Sequence, residues 1–479
     1  MASAVEFEAR ATACVFIPAE LRWQPTTSVP VRLVQESPTL PVSICIDDSR
    51  VSLADLEEVS LTSPQFVVLR GKDLGGKDLH VGLRFEDELS ARSLSERLSK
   101  KQANYERLGQ YEPGSVQTYF QYYAKLGSQQ NMLQDEIRTA TYRTAILENA
   151  ADFAGKVAMD IGAGSGILSF FAAQAGADTV YAVEASSMAE VVDALAKSNE
   201  SVLKSKIKVV GKPLEQIRDI GKVDVLVSEP IGTLLFNERM IETYLCARDR
   251  FLKPGGKMFP SSGTIFIAPF SDEVLHWEQR YRSSFWDNSS FHGIDLRPVM
   301  RLSMEEQFRK PVCDYINPNF LVATAQSQLF DFTTITIESL ETIEMPFTFQ
   351  ITRACVVHGL AGWFDCTFDG STRPVILSTA PWCPGTHWYQ MRFLLENPLT
   401  VIAGQRIEGH FSLKSNNIQS YYARLRMRLQ GTEAWSESLC MDLKDPEYRA
   451  LTSANAYVPP PASHHPSSQR THRRKREAC

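Results

Sequence analysis

Over residues 1 to about 100, apolar and polar side chains alternate in short segments. Examples are Ala13-Cys14-Val15-Phe16-Ile17, Val29-Pro30-Val31-Arg32-Leu33-Val34 and Gln65-Phe66-Val67-Val68-Leu69, with Pro, Gly and Asp turns between them, a pattern that predicts strands. A closing stretch, Glu86 to Leu98, is rich in Glu, Ser, Leu and Arg and predicts a capping helix. From Gln117 the spacing becomes helical: Leu133, Ile137, Ala140 and Leu147 fall on one face of a single long helix, with Asp135 and Arg138 on another. Strand-like runs then alternate with helices, at Val157 to Ile161, Val180 to Glu184, Ile207 to Val210 and Val223 to Ser228, followed by a helix carrying Met240, Tyr244, Ala247 and Phe251. Such alternation predicts an α/β unit, a parallel sheet covered on both faces.

Beyond Gly255-Gly256 the pattern turns to strands. Glu344 to Ile351, Val356 to Phe368, Leu399 to Gly409 and Ser420 to Leu429 predict an antiparallel barrel or sandwich. Ahead of these lies Ser271 to Pro311, an insertion whose aromatics Trp277, Tyr281, Phe285, Trp286 and Phe291 need a partner surface, which points to a dimer contact. Four segments follow: a mostly-β interaction domain over 1–105, an α/β domain with preceding helices over 106–260, a β-barrel domain over 261–452 that includes an arm at 271–311, and a tail over 453–479. Pro, Ser and His dominate from Pro459 onward, and the tail is expected to be disordered.

Length changes little: 479 residues suit two to four domains. Charge changes more. Setting aside Arg470, Arg473, Arg474, Lys475, Arg476 and Glu477 leaves 45 bases against 55 acids, a net charge of −10 on the rest of the chain. An acidic body attracts cations and repels phosphate backbones, which argues for a basic substrate and against direct nucleic-acid binding by the folded body. The nine cysteines include no CxxC pair, so neither a zinc site nor a disulfide framework is expected and no metal is assigned. Charged residues Glu6, Glu8 and Arg10 interrupt the amino terminus, and no run of about 18 apolar residues occurs; cytosol or nucleus is expected, with no membrane partner.

Two constellations carry candidate chemistry. Asp160-Ile161-Gly162-Ala163-Gly164-Ser165-Gly166 follows a strand and opens a helix, and its glycines let the backbone pass close to a ligand. Ile167 stands where a dinucleotide fingerprint needs glycine, so the spacing argues against NAD. Glu184 ends the next strand, where an α/β fold places a carboxylate on a ribose hydroxyl pair, and Asp160 ahead of the glycines is typical of S-adenosylmethionine sites. The second constellation runs from Ser228 to Met240. Glu229 lies at a strand's carboxyl end and Glu238 at the start of the next helix, across a Gly-containing loop that can fold the two acids together. Two close carboxylates repel unless a cation lies between them, and a guanidinium fits that gap because it is planar, permanently charged and able to bond carboxylates bidentately. Taken singly, each acid also reads as an ordinary strand-end or helix-start charge.

The double-acid loop, the glycine segment, Tyr119-Phe120-Gln121-Tyr122-Tyr123 and Thr386-His387-Trp388 resemble the signature set of type I protein arginine methyltransferases, in the family's order from near Gln117 to Lys444. Gln129, Asn131 and Met132, the run Phe170 to Gly176 and the run Val356 to Leu360 are most similar to the coactivator-associated branch, which also carries an amino-terminal PH-like domain. The resemblance implies a Rossmann-like S-adenosylmethionine-binding domain, an antiparallel β-barrel with a helical dimerisation arm, and a homodimer. It implies methylation of protein arginines to monomethyl and asymmetric dimethyl forms, on histone tails and RNA-binding proteins, in nucleus and cytoplasm.

By the same resemblance, Glu229 and Glu238 match the substrate clamp, and Arg138 matches the residue pairing with the cofactor carboxylate. Glu184 matches the ribose acid and Glu215 the acid on the adenine amino group. Gln129, Gly162 and Thr243 match further cofactor contacts, and Asp160, Gly164 and Gly166 complete that set. His387 matches a histidine that pairs with Asp135; from its neighbours alone it also reads as a structural imidazole. Tyr119 and Tyr123, one helical turn apart, read as a core stripe or, by resemblance, as a cover over the cofactor that lines the arginine pocket. Met132, Met240 and Trp388 match pocket positions. Ile231, Thr233 and Ala163 depart from the branch's residues and bear on substrate preference. Arg473-Arg474-Lys475-Arg476 reads as a nuclear import signal or a solvated basic tail. The competing readings are a methyltransferase with a non-protein substrate and a non-catalytic interaction protein.

Overall fold

The computed structural model describes residues 111–449 apart from Lys204, most of 4–98, and residues 453 and 457–461. The basic tail lies outside the described residues.

Alternation in the amino-terminal segment produces seven strands: β1 (Ala4–Ile17), β2 (Arg22–Gln35), β3 (Ser43–Ile46), β4 (Ser49–Ser52), β5 (Leu56–Ser63), β6 (Phe66–Lys72) and β7 (Asp78–Phe85). They form one antiparallel sheet in the order β4-β3-β2-β1-β7-β6-β5. Val31, Val67, Leu69 and Leu83 form its core with Ala91, Leu94 and Leu98, apolar positions three and four apart on the helix α1 over 88–95 and just beyond it.

The expected long helix is three shorter ones, α2 (Pro113–Tyr123), α3 (Leu126–Gln134) and α4 (Glu136–Leu147). Asp135 makes the break: its backbone is extended and its side chain accepts a hydrogen bond from Arg138 N, capping α4. The predicted face holds only in part: Ile137 and Leu147 pack on the core, but Leu133 and Ala140 are exposed, and the residues α4 buries fully are Arg138, Tyr142, Ala145 and Ile146. Apolar periodicity located the helical segment, but a buried arginine with an acidic partner defines its inner face.

The α/β unit follows as β8 (Val157–Ile161), α5 (Ile167–Gln174), β9 (Thr179–Val183), α6 (Met188–Ser198), β10 (Lys206–Val210), β11 (Val223–Ser228), α7 (Met240–Phe251) and β12 (Leu252–Phe259). All neighbours are parallel, in the order β10-β9-β8-β11-β12. The order reverses between β8 and β11, so their carboxyl ends flank a crevice, the place where such sheets bind ligands.

From β13 (Ser262–Phe270) the chain builds two facing sheets. The first holds β13, β14 (Val312–Asp314), β15 (Gln326–Asp331), β17 (Cys355–Asp369), β18 (Pro374–Ser378) and β19 (Gln390–Val401). The second holds β16 (Thr342–Gln350), β20 (Arg406–Ser415) and β21 (Tyr421–Leu429). Strict alternation along β16 and β21 sends Ile343, Met345, Phe347 and Phe349, and Tyr421, Ala423, Leu425 and Met427, into the core. The strand expected over Leu399 to Gly409 is instead the end of β19, a turn at 402–405 and the start of β20, because the chain crosses there from one sheet to the other with Gly404 at φ 85°.

The insertion forms α8 (Glu273–Arg282) and α9 (Met300–Phe308), whose Leu275, Met304 and Phe308 pack on Phe270, Val312 and Trp363. Trp277 and Tyr281 stack at 4.6 Å and remain exposed, as does Phe285. The base of α8 rests on buried charges: Arg392 bonds Asp272 and Asp314, and Arg449 bridges Asp314 to Glu278. His358 Nδ1 accepts from Asp272 N at 3.1 Å, and its ring lies 5.1 Å from that of His276.

One core runs through both halves of residues 142–443. Asn149, fully buried after α4, fastens them: its Nδ2 donates to Ala145 O (2.9 Å) and Arg373 O (3.0 Å), and its Oδ1 accepts from Thr372 N (3.0 Å) and Arg373 N (2.9 Å). None of the eight cysteines among the described residues forms a disulfide, and no described helix is long and apolar enough to cross a membrane.

Candidate active site

A cavity of about 1420 Å³ opens at the carboxyl ends of β8, β9 and β11, under α2 and α3 and against the barrel turn at 386–389. Gly162 and Gly164, after β8, adopt φ of 70° and 55°. A Cβ on Gly164 would lie 2.7 Å from Gln129 Oε1, and one on Gly162 2.9 Å from Met240 Cε, so glycine keeps this cradle open. Glu184, at the end of β9, accepts from Gly164 N and Ser186 N at 2.8 Å each, which fixes its carboxylate at the cavity wall. Glu215 and Thr243 line the same cavity, and burial pushes the Glu215 carboxyl up.

Asp160 and Gly166 do not line it. Asp160 is buried beneath the loop, accepts from Ser169 Oγ at 2.7 Å, and is pushed up to about 7 by burial. Gly166, at φ 82°, is the residue from which α5 starts. The Asp160 carboxyl thus ties β8 to α5 through Ser169 and does not face the cavity.

The two acids after β11 do share the cavity. Glu229 receives two bonds from Arg138, Nε and Nη2 both reaching Oε2 at 3.0 and 2.8 Å, while Ile231 N donates to Oε1 at 3.1 Å. Glu238 ends a loop in which Leu234, Leu235, Glu238 and Arg239 all have positive φ, from 51° to 73°. Such residues cost about 1 kcal/mol or more each and persist only where their surroundings hold them. Here Gly232 permits the fold, since a Cβ on it would lie 1.8 Å from Asn237 O, and Asn237 is tied to Ser420 Oγ at 2.7 Å.

Tyr123 donates to Glu238 at 2.9 Å, and its ring lies 4.8 Å from that of Tyr119. Burial and the neighbouring acids hold both phenols well above their usual range, so Tyr123 stays a donor. Burial, with Glu229 adding, pushes the Glu238 carboxyl up to about 7 against the opposing pull of Tyr123 and Lys444. Met132, Met240 and Trp388 complete this end, and Trp388 Nε1 donates to Ile231 O at 3.0 Å. His387 lines the cavity, whereas Asp135 lies behind it: Asp135 Oδ2 is 2.7 Å from His387 Nδ1 and accepts from His387 N at 2.9 Å. Burial alone would raise the Asp135 carboxyl, but these bonds and the Arg138 amide outweigh it and hold it low. The imidazole thus ties the cap of α4 to the barrel turn.

Sequence reasoning assigned no role to Tyr111, Arg239, Glu242 or Lys444. Tyr111 and Arg239 line the cavity, Glu242 bonds Arg239, and Lys444 acts on Glu238. The only available signal was the acid three residues after Arg239, which looks like a common surface pair on a helix.

The cradle, Glu184 and Glu215 form a slot fit for a nucleoside with vicinal hydroxyls, and Glu229 and Glu238 form an acidic end fit for a cation. Comparison with known proteins bears on the family of the chain. The sequence model of the arginine methyltransferase oligomerization subdomain matches residues 261–433, and that of ribosomal protein L11 methyltransferase matches 139–265. The chain is 47% identical over 352 residues to histone-arginine methyltransferase CARMER of Drosophila persimilis, covering 74% of this chain and 65% of that protein. It is 47% identical over 355 residues to probable histone-arginine methyltransferase CARM1 of Oryza sativa subsp. indica, covering 72% and 67%. The chain therefore spans about two thirds of the length of these curated relatives.

Among solved structures, the Trypanosoma brucei PRMT1 enzyme-prozyme heterotetramer with AdoHcy matches at a TM-score of 0.60 and 33% identity, covering 67% of this chain and 99% of that one. Arabidopsis thaliana protein arginine methyltransferase 10 matches at 0.61 and 30%, covering 68% and 99%. Identity at this level, over nearly the whole of the trypanosome chain, places this sequence in the protein arginine methyltransferase family.

Proposed function

We propose that this chain transfers methyl groups from S-adenosylmethionine to the guanidinium of protein arginines, as a type I enzyme that forms monomethyl and then asymmetric dimethylarginine. The reading rests on one observation: a half-buried carboxylate, Glu238, held by Tyr123 at the acidic end of the cavity whose other end is the glycine cradle. When bound in that cradle, S-adenosylmethionine supplies an electrophilic methyl group on a sulfonium.

The chain's own groups supply the rest. Gln129, Gly162, Gly164, Glu184, Glu215 and Thr243 bind the nucleoside end, and Arg138 receives the amino-acid carboxylate. Glu229 and Glu238 hold the guanidinium in the plane that aims one nitrogen along the transfer line, so catalysis is chiefly positioning and electrostatics. Glu238 takes the proton that nitrogen releases. His387 and Asp135 keep α4 and the barrel turn in register around the substrate. The flexible side chains of Met132 and Met240 leave space for a second methyl on the same nitrogen.

The names of the relatives favour histones as substrates and the nucleus as the place of action, with RNA-binding proteins and a cytoplasmic pool as extensions. The exposed aromatics of α8 and the match to an oligomerization subdomain favour a homodimer. The strand order β4-β3-β2-β1-β7-β6-β5 with its closing helix favours a PH-like interaction domain.

Incubation with radiolabelled S-adenosylmethionine, an arginine-rich peptide and its lysine-substituted twin tests the activity; label on the arginine peptide alone is expected, and label on both or neither refutes it. Glu238→Gln should bind the cofactor normally and lose about a thousandfold in turnover; normal turnover would remove the clamp.

A further inference from the structure

The helix that roofs the cavity, α2, has no fully buried residue; Tyr119 and Tyr123 on its inner side are half-buried. Hydrogen bonds at its two ends hold it down. At the carboxyl end Tyr123 reaches Glu238, and Gln129 Nε2 donates to Tyr123 O at 2.8 Å. At the amino end Glu112 N donates to Asn417 O at 2.8 Å, and Ser115 Oγ contacts Ile418 O at 2.9 Å and Gln419 Oε1 at 3.0 Å. Tyr111, just ahead of the helix, donates to Glu242 Oε2 at 3.2 Å.

One guanidinium joins these two ends. Arg239 directly follows the clamp acid and bonds Glu242 bidentately, Nε to Oε1 at 2.7 Å and Nη2 to Oε2 at 3.0 Å. Its remaining arm, Nη1, donates to Asn416 O at 2.7 Å, in the loop that receives Glu112 and Ser115, and the Tyr111 ring lies over it at 5.0 Å. Glu242 is 2% exposed, so the pair is held away from water, where a planar fork is worth far more than a point charge. Arg239 and Glu238 both have positive φ, a backbone state that needs fixed neighbours.

We propose that Arg239, clamped by Glu242, is a positioning residue that docks the amino end of α2 and fixes the backbone carrying Glu238, so that closing the roof and setting the clamp acid are one event. The inference rests on the methyl-transfer reading, since the clamp acid is the group it positions. When the roof is seated, Tyr123 meets Glu238; when the Asn416–Gln419 loop releases α2, that bond is lost together with the left-handed pose of Glu238.

Hydrogen exchange of the full chain with S-adenosylhomocysteine is the test. Arg239→Lys keeps the charge and loses the fork; amides of 113–123 should exchange about tenfold faster, the size of one lost charge-assisted hydrogen bond. The rising limb of kcat/KM should move to higher pH, because Tyr123 no longer steadies the ionised Glu238. Ser115→Ala, which leaves α7 untouched, should produce both changes in weaker form and guards against a misfolded Arg239 variant. Parent-like protection of α2 in both variants would overturn the proposal, as would an unmoved pH limb with a loosened helix. A parent protein that protects α2 but labels no arginine peptide would refute the methyl-transfer reading and leave the exchange result standing.

Discussion

At the scale of single residues, the proposed chemistry turns on Glu238. Its carboxyl sits near 7 in the free protein because burial and Glu229 outweigh Tyr123 and Lys444, and only the ionised form attracts a guanidinium. The value is raised, so the active form grows as pH rises: kcat/KM should climb through about 7 and level off above it, measured with a peptide substrate. Tyr123→Phe removes the donor to the ionised form and should shift the climb to higher pH with a loss of about tenfold at neutral pH. An unshifted profile would mean that the climb belongs to another group. Glu229 and Glu238 were legible in the sequence because a Gly-containing loop after a strand can fold two acids together, and both line the cavity. Asp160 was legible as an acid but not by direction, since nothing in the spacing shows that it turns beneath the loop toward Ser169.

At the scale of elements, β8 and β11 coincide with the runs read from the sequence, because strands buried on both faces are continuous apolar runs. The break at Asp135 was not legible: a cap interrupts the backbone without interrupting the apolar period. Nor was the crossing at 402–405, where β-rich composition continues on both sides of a turn. Loop geometry at the site is equally hidden in sequence, and it yields a prediction. Gly232→Ala would press a methyl into Asn237 O, where 1.8 Å is available, and force the left-handed loop apart. A loss of about 3 kcal/mol in urea unfolding is expected, along with turnover; a stable, active variant would show that the loop has other ways to close.

At the scale of the whole molecule, the buried histidines under the arm give the chain an acid sensitivity. Burial, with His276 adding and Asp272 opposing, pushes His358 down to about 4, against about 6.5 for an exposed imidazole. The unfolded chain therefore takes up this proton first, and stability contributed here is complete above about 6.5 and lost as pH falls toward about 4. The melting temperature of His358→Gln should fall less steeply than the parent's over that interval.

Asn149 has a different consequence. Every hydrogen-bonding position of its amide is spent, one on Ala145 O of α4 and three on Thr372 and Arg373 in the loop after β17, so the layer that carries α4 and the barrel cannot part without stranding the three bonds that join them. Residues 142–443 should melt in calorimetry as a single cooperative transition, and Asn149→Leu should split it in two: a body divided in sequence between two architectures behaves thermodynamically as one.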